Sequence, residues 1–214
     1  MNKLGFVIGF APWIVFSLVA QRLAANGVAW SALIAVAMTA VALLAARRKH
    51  GPMFLNLVSL GLFGLIAVVG FTGGAAVDQW LFEWGRPLVG VVLGLVVLAT
   101  APVRPFTEEY ARQSVPREYW GSPTFRKINR VLSAVWGVAI LVIGLAGVAV
   151  AALDAHAVDA SEHNIVELVL NWVVPIAVIW GAIWFTGTYP DRVNRTEDPT
   201  VASRSTEDRP RGRA

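Results

Sequence analysis

The sequence predicts an all-α polytopic membrane bundle, six transmembrane helices with both termini in the cytoplasm, and three observations carry that prediction. Hydrophobic residues make up 56% of the 214 residues and charged residues only 15%, against roughly 45–50% and about 25% in a soluble domain. The mean hydropathy is +0.60, and the apolar residues stand in blocks long enough to cross a bilayer core about 30 Å thick as helix. Finally, 16 of the 18 Lys and Arg residues fall on one side of the topology those blocks define. A soluble core cannot hide so much apolar surface, and disorder has the opposite composition. The absence of cysteine excludes disulfides, thiolate metal sites and cysteine nucleophiles.

The six spans are expected at residues 4–20, 28–46, 53–77, 87–103, 131–153 and 165–187, forming a transmembrane domain over residues 1–187. None alternates as a barrel strand would. The first resembles a signal peptide, because Met1-Asn2-Lys3 is a short basic start. Pro12-Trp13 interrupts its apolar run and Ser17-Leu18-Val19-Ala20 makes a poor cleavage site, so it is read as an uncleaved span. Lys3, Arg47–Lys49, the basic residues of 104–130 and those from Arg192 onward then lie inside, leaving Arg22 and Arg86 outside. The outer loops carry Asp78, Glu83, Asp154, Asp159 and Glu162 instead. Trp80, Trp84 and Trp120 are expected at span borders and Trp13, Trp30 and Trp184 near span ends. Trp136, Trp172 and Trp180 are expected deeper, packed between helices.

The inner loop 104–130 holds most of the non-repetitive information. Thr107 is placed as an N-cap with Glu108 and Glu109 in the first helical turn, opposite the positive end of the helix dipole. That short helix must end before Pro116. Ser122 then caps a second helix with Pro123 at its first position, and this helix runs on into the fifth span. With Phe106, Tyr110 and Trp120 among Arg104, Arg112, Arg126, Lys127 and Arg130, the loop reads as an amphipathic segment on the inner leaflet. It is a candidate contact for anionic lipid headgroups or a membrane-protein partner. Residues 188–214 mix both charge signs with few large apolar residues and read as a disordered tail, not a nucleic-acid arm.

Inside the spans, polar groups are functional candidates by default. His163, Glu167 and Asn171 follow at four-residue intervals and would share one helical face near the outer end of the sixth span, a face suited to passing a cation or proton. Ser17, Ser31, Thr39, Asn56 and Ser59 are expected to bond between helices. His156 and His163 beside Asp154, Asp159 and Glu162 form too loose a set to hold a metal. No catalytic motif such as H-E-x-x-H, a phosphate-binding loop or G-x-S-x-G occurs, so neither an enzyme nor a cofactor is expected. Gly61 and Gly64, and the glycines from Gly137 to Gly147, offer small packing faces. No internal repeat is evident, and the Gly and Pro interruptions look scattered where an inverted-repeat transporter would pair them.

Pro105-Phe106-Thr107, Tyr110-Ala111-Arg112, Val115-Pro116, Trp120, Ser122-Pro123, Phe125, Asn129 and Trp136-Gly137 together resemble a loop pattern of uncharacterised multi-pass bacterial inner-membrane proteins. The resemblance covers about thirty residues and implies a bacterial cytoplasmic membrane location, with no reaction attached. The expected function is a small transporter or channel using Glu167, Asn171 and His163. The alternative is a non-transporting scaffold or envelope factor working through loop 104–130, alone or as a homo-oligomer.

Overall fold

The structure, a computed structural model, describes residues 11–16, 19, 27–49, 54–156 and 163–197. Its long elements are α1 (Gly27–Lys49), α2 (Phe54–Thr72), α3 (Gly74–Trp80), α4 (Arg86–Thr100), α5 (Phe106–Ala111), α6 (Pro123–His156), α7 (His163–Leu168) and α8 (Val174–Glu197). Two π turns, Leu81–Gly85 and Val169–Val173, join α3 to α4 and α7 to α8. There is no strand among the described residues. Four helices are long and apolar enough to cross a membrane: Gly27–Arg47, Phe54–Thr72, Pro123–Leu153 and Ile165–Asn194. The bent pair Gly74–Gly85 and Pro87–Thr100 makes a fifth if its two arms are counted as one broken span, in place of a re-entrant loop. The protein therefore has the architecture of an integral membrane helix bundle. Most of the expected first span, with Ser17, lies outside the described residues.

Two antiparallel pairs build the bundle. In the first, alanines on α1 let α2 come close. Ala29, Ala32 and Ala35 are fully buried, and a methyl on Gly70 would sit 2.7 Å from the Ala29 Cβ. Helical residues 11–16 cover this pair: Trp13 and Phe16 pack on Phe63 at 4.6 and 5.1 Å between ring centroids, and the Trp13 indole N–H donates to the Ser59 hydroxyl at 2.7 Å. Ser31 and Thr39 do not bond between helices as expected. Each hydroxyl donates to the carbonyl four residues back, the nearest acceptor an apolar helix offers.

The second pair, α4 and α6, meets along a glycine seam. A Cβ on Gly90 would lie 3.1 Å from the Gly144 Cα, one on Gly94 2.7 Å from the Leu141 backbone nitrogen, and one on Gly147 3.0 Å from the Pro87 Cβ. Such close backbone contact gives apolar helices their dispersion energy where lipid supplies no hydrophobic drive. On its other flank α6 meets α8, where the Trp136 indole N–H donates to the Thr186 hydroxyl at 3.0 Å.

Several boundaries differ from expectation. The third span stops at Thr72, and Asp78 and Glu83 lie in α3 and the first π turn instead of an open loop. The helix expected to end at 187 continues to Glu197 through Pro190. Disorder is overturned there because the helix still has packing to make: Tyr189 stacks on Phe185 at 4.9 Å, Arg192 lies over Trp184 and Val193 is buried. The tail beyond residue 197 lies outside the described residues. Trp136 is buried as expected, whereas Trp172 and Trp180 are 67% and 70% exposed. Only 6% of the α7–α8 span is buried inside the protein, against 33–39% for the other three long helices, so α8 is peripheral.

The structure also pairs two of the interruptions that looked scattered. Leu81-Phe82-Glu83-Trp84-Gly85 and Val169-Leu170-Asn171-Trp172-Val173 are both π turns, each followed after one intervening residue by a proline, Pro87 or Pro175. The correspondence continues at constant spacing through Thr100 and Thr188, Pro102 and Pro190, and Arg104 and Arg192. It holds in space as well. Leu98 stands against Gly137, and its counterpart Thr186 takes the hydrogen bond from the adjacent Trp136. The α4 and α8 spans thus flank α6 at matching levels.

Candidate functional site

The most densely bonded part of the described residues is the end of the bundle that carries loop 104–130. Helix α4 stops at Thr100, and Pro105, extended at ψ 119°, starts α5. The helix begins at Phe106, which moves Thr107 from the expected cap into the first turn. Phe106, Thr107 and Tyr110 share one face and are 1%, 0% and 2% exposed. This face wedges into a cluster with Leu55, Leu93, Val97, Trp136, Ala139 and Ala182, drawn from α2, α4, α6 and α8. Phe106 and Tyr110, expected at lipid or a partner, are therefore internal anchors, because α5 has apolar bulk on that side alone.

Thr107 is the pin. Its hydroxyl donates to the Asn129 carbonyl at 2.9 Å and lies 2.9 Å from the Ser133 hydroxyl; its backbone N–H donates to that same hydroxyl at 3.2 Å. The Asn129 amide donates to the Phe125 carbonyl at 2.8 Å. Thr107, Asn129 and Ser133 are all buried. A buried network whose members are satisfied fixes one geometry, since any displacement leaves polar groups unpaired. Glu109 makes the second attachment. One carboxylate oxygen accepts the Phe54 backbone N–H at 2.8 Å, at the start of α2, and the other pairs with Arg104 at 3.2 Å. Arg104 also lies over the Phe54 ring. Burial, with the Glu109 carboxylate beside it, pushes the Tyr110 phenol far above its ordinary range.

The outward side is cationic. Arg112 pairs with Glu108, and Arg112 and Arg117 both lie over the Trp120 ring, at 5.1 and 5.6 Å. The Trp120 indole N–H donates to the Val115 carbonyl at 2.8 Å. The expected second cap is present: the Phe125 N–H donates to the Ser122 hydroxyl at 3.1 Å, with Pro123 opening α6. Arg126, Lys127 and Arg130 are exposed on the first turns of α6, opposite buried Phe125 and Asn129. The loop thus forms a pinned block with an apolar inner face and a basic outer face.

The expected polar face lies at the opposite end. Glu167 is exposed on α7, whereas Asn171 is half-buried in the π turn. Val174 donates there to the Val169 carbonyl five residues back, closing the widened turn that carries Asn171 on the way to Pro175. The side chains of His156 and His163 lie outside the described residues, as do those of Asp154, Asp159 and Glu162. Among the described residues no group of three His, Asp or Glu could hold a metal. Comparisons with protein-family models, curated proteins and solved structures give no match.

Sequence reasoning missed Thr107, Ser133 and Glu109 as structural pins. Thr107 and Ser133 each stand beside large apolar residues, Phe106 and Leu132, and that context was their available signal. The Glu109 contact with Phe54 carries no local sign at all.

Proposed function

We propose that the protein is a polytopic scaffold of the bacterial cytoplasmic membrane, with both termini inside, whose 104–130 block engages anionic lipid headgroups of the inner leaflet. The observation that carries this reading is the pinned block itself. Arg126, Lys127 and Arg130 are exposed on a helix whose other side is held by the Thr107–Asn129–Ser133 network. A pre-ordered cationic surface binds without the entropy cost of arranging itself, and each basic residue near an anionic leaflet contributes about 1 kcal/mol. The bias of Lys and Arg towards one side supports the orientation. The bacterial setting rests on the resemblance of residues 105–137. The test is retention of phosphatidylglycerol against phosphatidylcholine by the purified protein, read by native mass spectrometry. The wild type is expected to retain the anionic lipid, and Arg126→Gln/Lys127→Gln/Arg130→Gln to lose the preference. Equal retention by both proteins would overturn the reading.

A second reading, a solute or proton path along α7 and α8, is favoured by Asn171, a half-buried polar residue in a π turn that packs against α6. In proteoliposomes it predicts altered flux on Asn171→Leu or Glu167→Gln.

A further inference from the structure

The two spans flanking α6 share one plan and differ in one respect. In each π turn the third and fourth residues are a polar residue and a tryptophan, Glu83-Trp84 and Asn171-Trp172, and the proline comes four residues after the polar one. A proline has no N–H for the carbonyl four residues back, here that of Glu83 or Asn171, and its ring presses against that carbonyl. Widening the preceding turn relieves the pressure. The motif nevertheless has two shapes in one molecule. Around the first copy Gly74–Gly85 and Pro87–Thr100 meet at 59°, whereas the second lies within the continuous span Ile165–Asn194.

The bent arm is lightly held. Helix α3 has no buried residue. Its junction with α2 runs through Gly74 at φ +73°, a backbone setting that costs glycine little and other residues much. The arm therefore has a pivot at each end. Its most buried large side chain is Leu81, 4% exposed, which belongs to the apolar cluster of Val28 of α1, Phe63 of α2 and Val89 of α4, with Val77 of α3 packed against the same cluster.

We infer that the π–proline turn at Leu81–Gly85 is a hinge, and that residues 74–85 move between the bent setting seen here and the straight setting shown by their counterpart. Leu81 is the latch. Straightening withdraws it from Val28 and opens the corner between α1, α2 and α4 at the end of the bundle remote from the basic block. π turns inside helices are frequent at functional sites, and discontinuous spans are tolerated only where protein or a water-filled cavity meets the exposed backbone.

The chain has no cysteine, so introduced pairs report alone. Ala75→Cys and Ala99→Cys, both at exposed positions, carry nitroxides for a pulsed dipolar distance measurement in lipid nanodiscs. At 1.5 Å per residue the two arms give about 31 Å between Cα atoms when bent and about 36 Å when straight. The wild-type background is expected to show mainly the shorter distance. Leu81→Ala should add a second population about 5 Å longer, and Pro87→Ala, which restores the missing donor, should shift the distribution to the longer distance. A control pair, Ile165→Cys with Gly187→Cys, should keep one distance throughout. If Leu81→Ala disturbs the control pair, the bundle has loosened and Pro87→Ala decides: a longer distance supports the hinge. The short distance alone in every variant with an intact control overturns it.

Discussion

The Glu109 carboxylate accepts the Phe54 backbone N–H at 2.8 Å, joining the start of α2 to a helix 55 positions later in sequence. The first N–H groups of a helix have no partner within it, and a carboxylate there also meets the positive end of the helix dipole. Glu109 is thus a cap supplied from another element, and it clamps the α1–α2 pair to the α4–α6 pair. Glu109→Ala is expected to lower stability by about 1 kcal/mol, the usual cost of a lost cap, and Glu109→Gln by less. Arg104→Gln should change it by under about 0.5 kcal/mol, because its side chain is 63% exposed and such pairs contribute little. Thermal unfolding in detergent checks the order; equal midpoints for Glu109→Ala and wild type would refute the clamp.

The seam between α4 and α6 makes a sharper prediction, because its obstacles are backbone atoms. A Cβ on Gly144 would fall 2.5 Å from the Val91 nitrogen and 2.7 Å from the Gly90 carbonyl carbon. Neither can rotate away, so Gly144→Ala must push the helices apart, at about 1–3 kcal/mol. Gly181→Ala meets nothing within 4 Å and should be neutral or gain up to about 1 kcal/mol from helix propensity. The contrast separates packing from propensity, and a pair of equal losses would contradict the seam.

How far the sequence reveals this fold follows from where each signal resides. The four long helices Gly27–Arg47, Phe54–Thr72, Pro123–Leu153 and Ile165–Asn194 were legible because twenty-residue apolar blocks are local, and so was the Ser122-Pro123 start of α6. The inward face of α5 was not, since Phe106 and Tyr110 read equally as lipid anchors until Leu55 and Trp136 are seen beside them. The matched π turns were missed for a different reason. Glu83-Trp84 and Asn171-Trp172 share only tryptophan and the later proline, and it is their common level on α6 that makes the match visible. Asn171 kept its expected place near the span end, but the π turn it sits in leaves no periodicity signal.

Tyr110 supplies a pH prediction. Burial first, and the Glu109 carboxylate second, raise its phenol far above the ordinary 10.0. In the unfolded chain the phenol ionises near that ordinary value, while in the folded protein it remains neutral. Above it the unfolded state therefore binds fewer protons, and stability falls with rising pH. The contribution is fully present below pH 10 and is lost progressively until Tyr110 itself ionises. Tyr110→Phe should remove this part of the alkaline loss. Absorbance at the tyrosinate band, as a wild-type minus Tyr110→Phe difference, should show no Tyr110 ionisation at pH 10–11 in the folded protein; a difference signal there would show the phenol in contact with water.

The peripheral α8 decides what the bilayer touches. Trp180 and Trp172 are 70% and 67% exposed along its apolar face, while Trp136 is 7% exposed behind it and bonded to Thr186. Lipid chains meeting that face directly would reach the first two indoles and not the third. In variants retaining one tryptophan each, brominated acyl chains should quench Trp180 strongly and Trp136 weakly. Trp172, at the π turn, should respond more to bromines near the headgroup than at the chain end. Protection of Trp180 would mean that protein, not lipid, covers α8. Dilution would then distinguish a second copy of the chain: quenching that rises as the lipid-to-protein ratio increases is the mass-action signature of a dissociating oligomer.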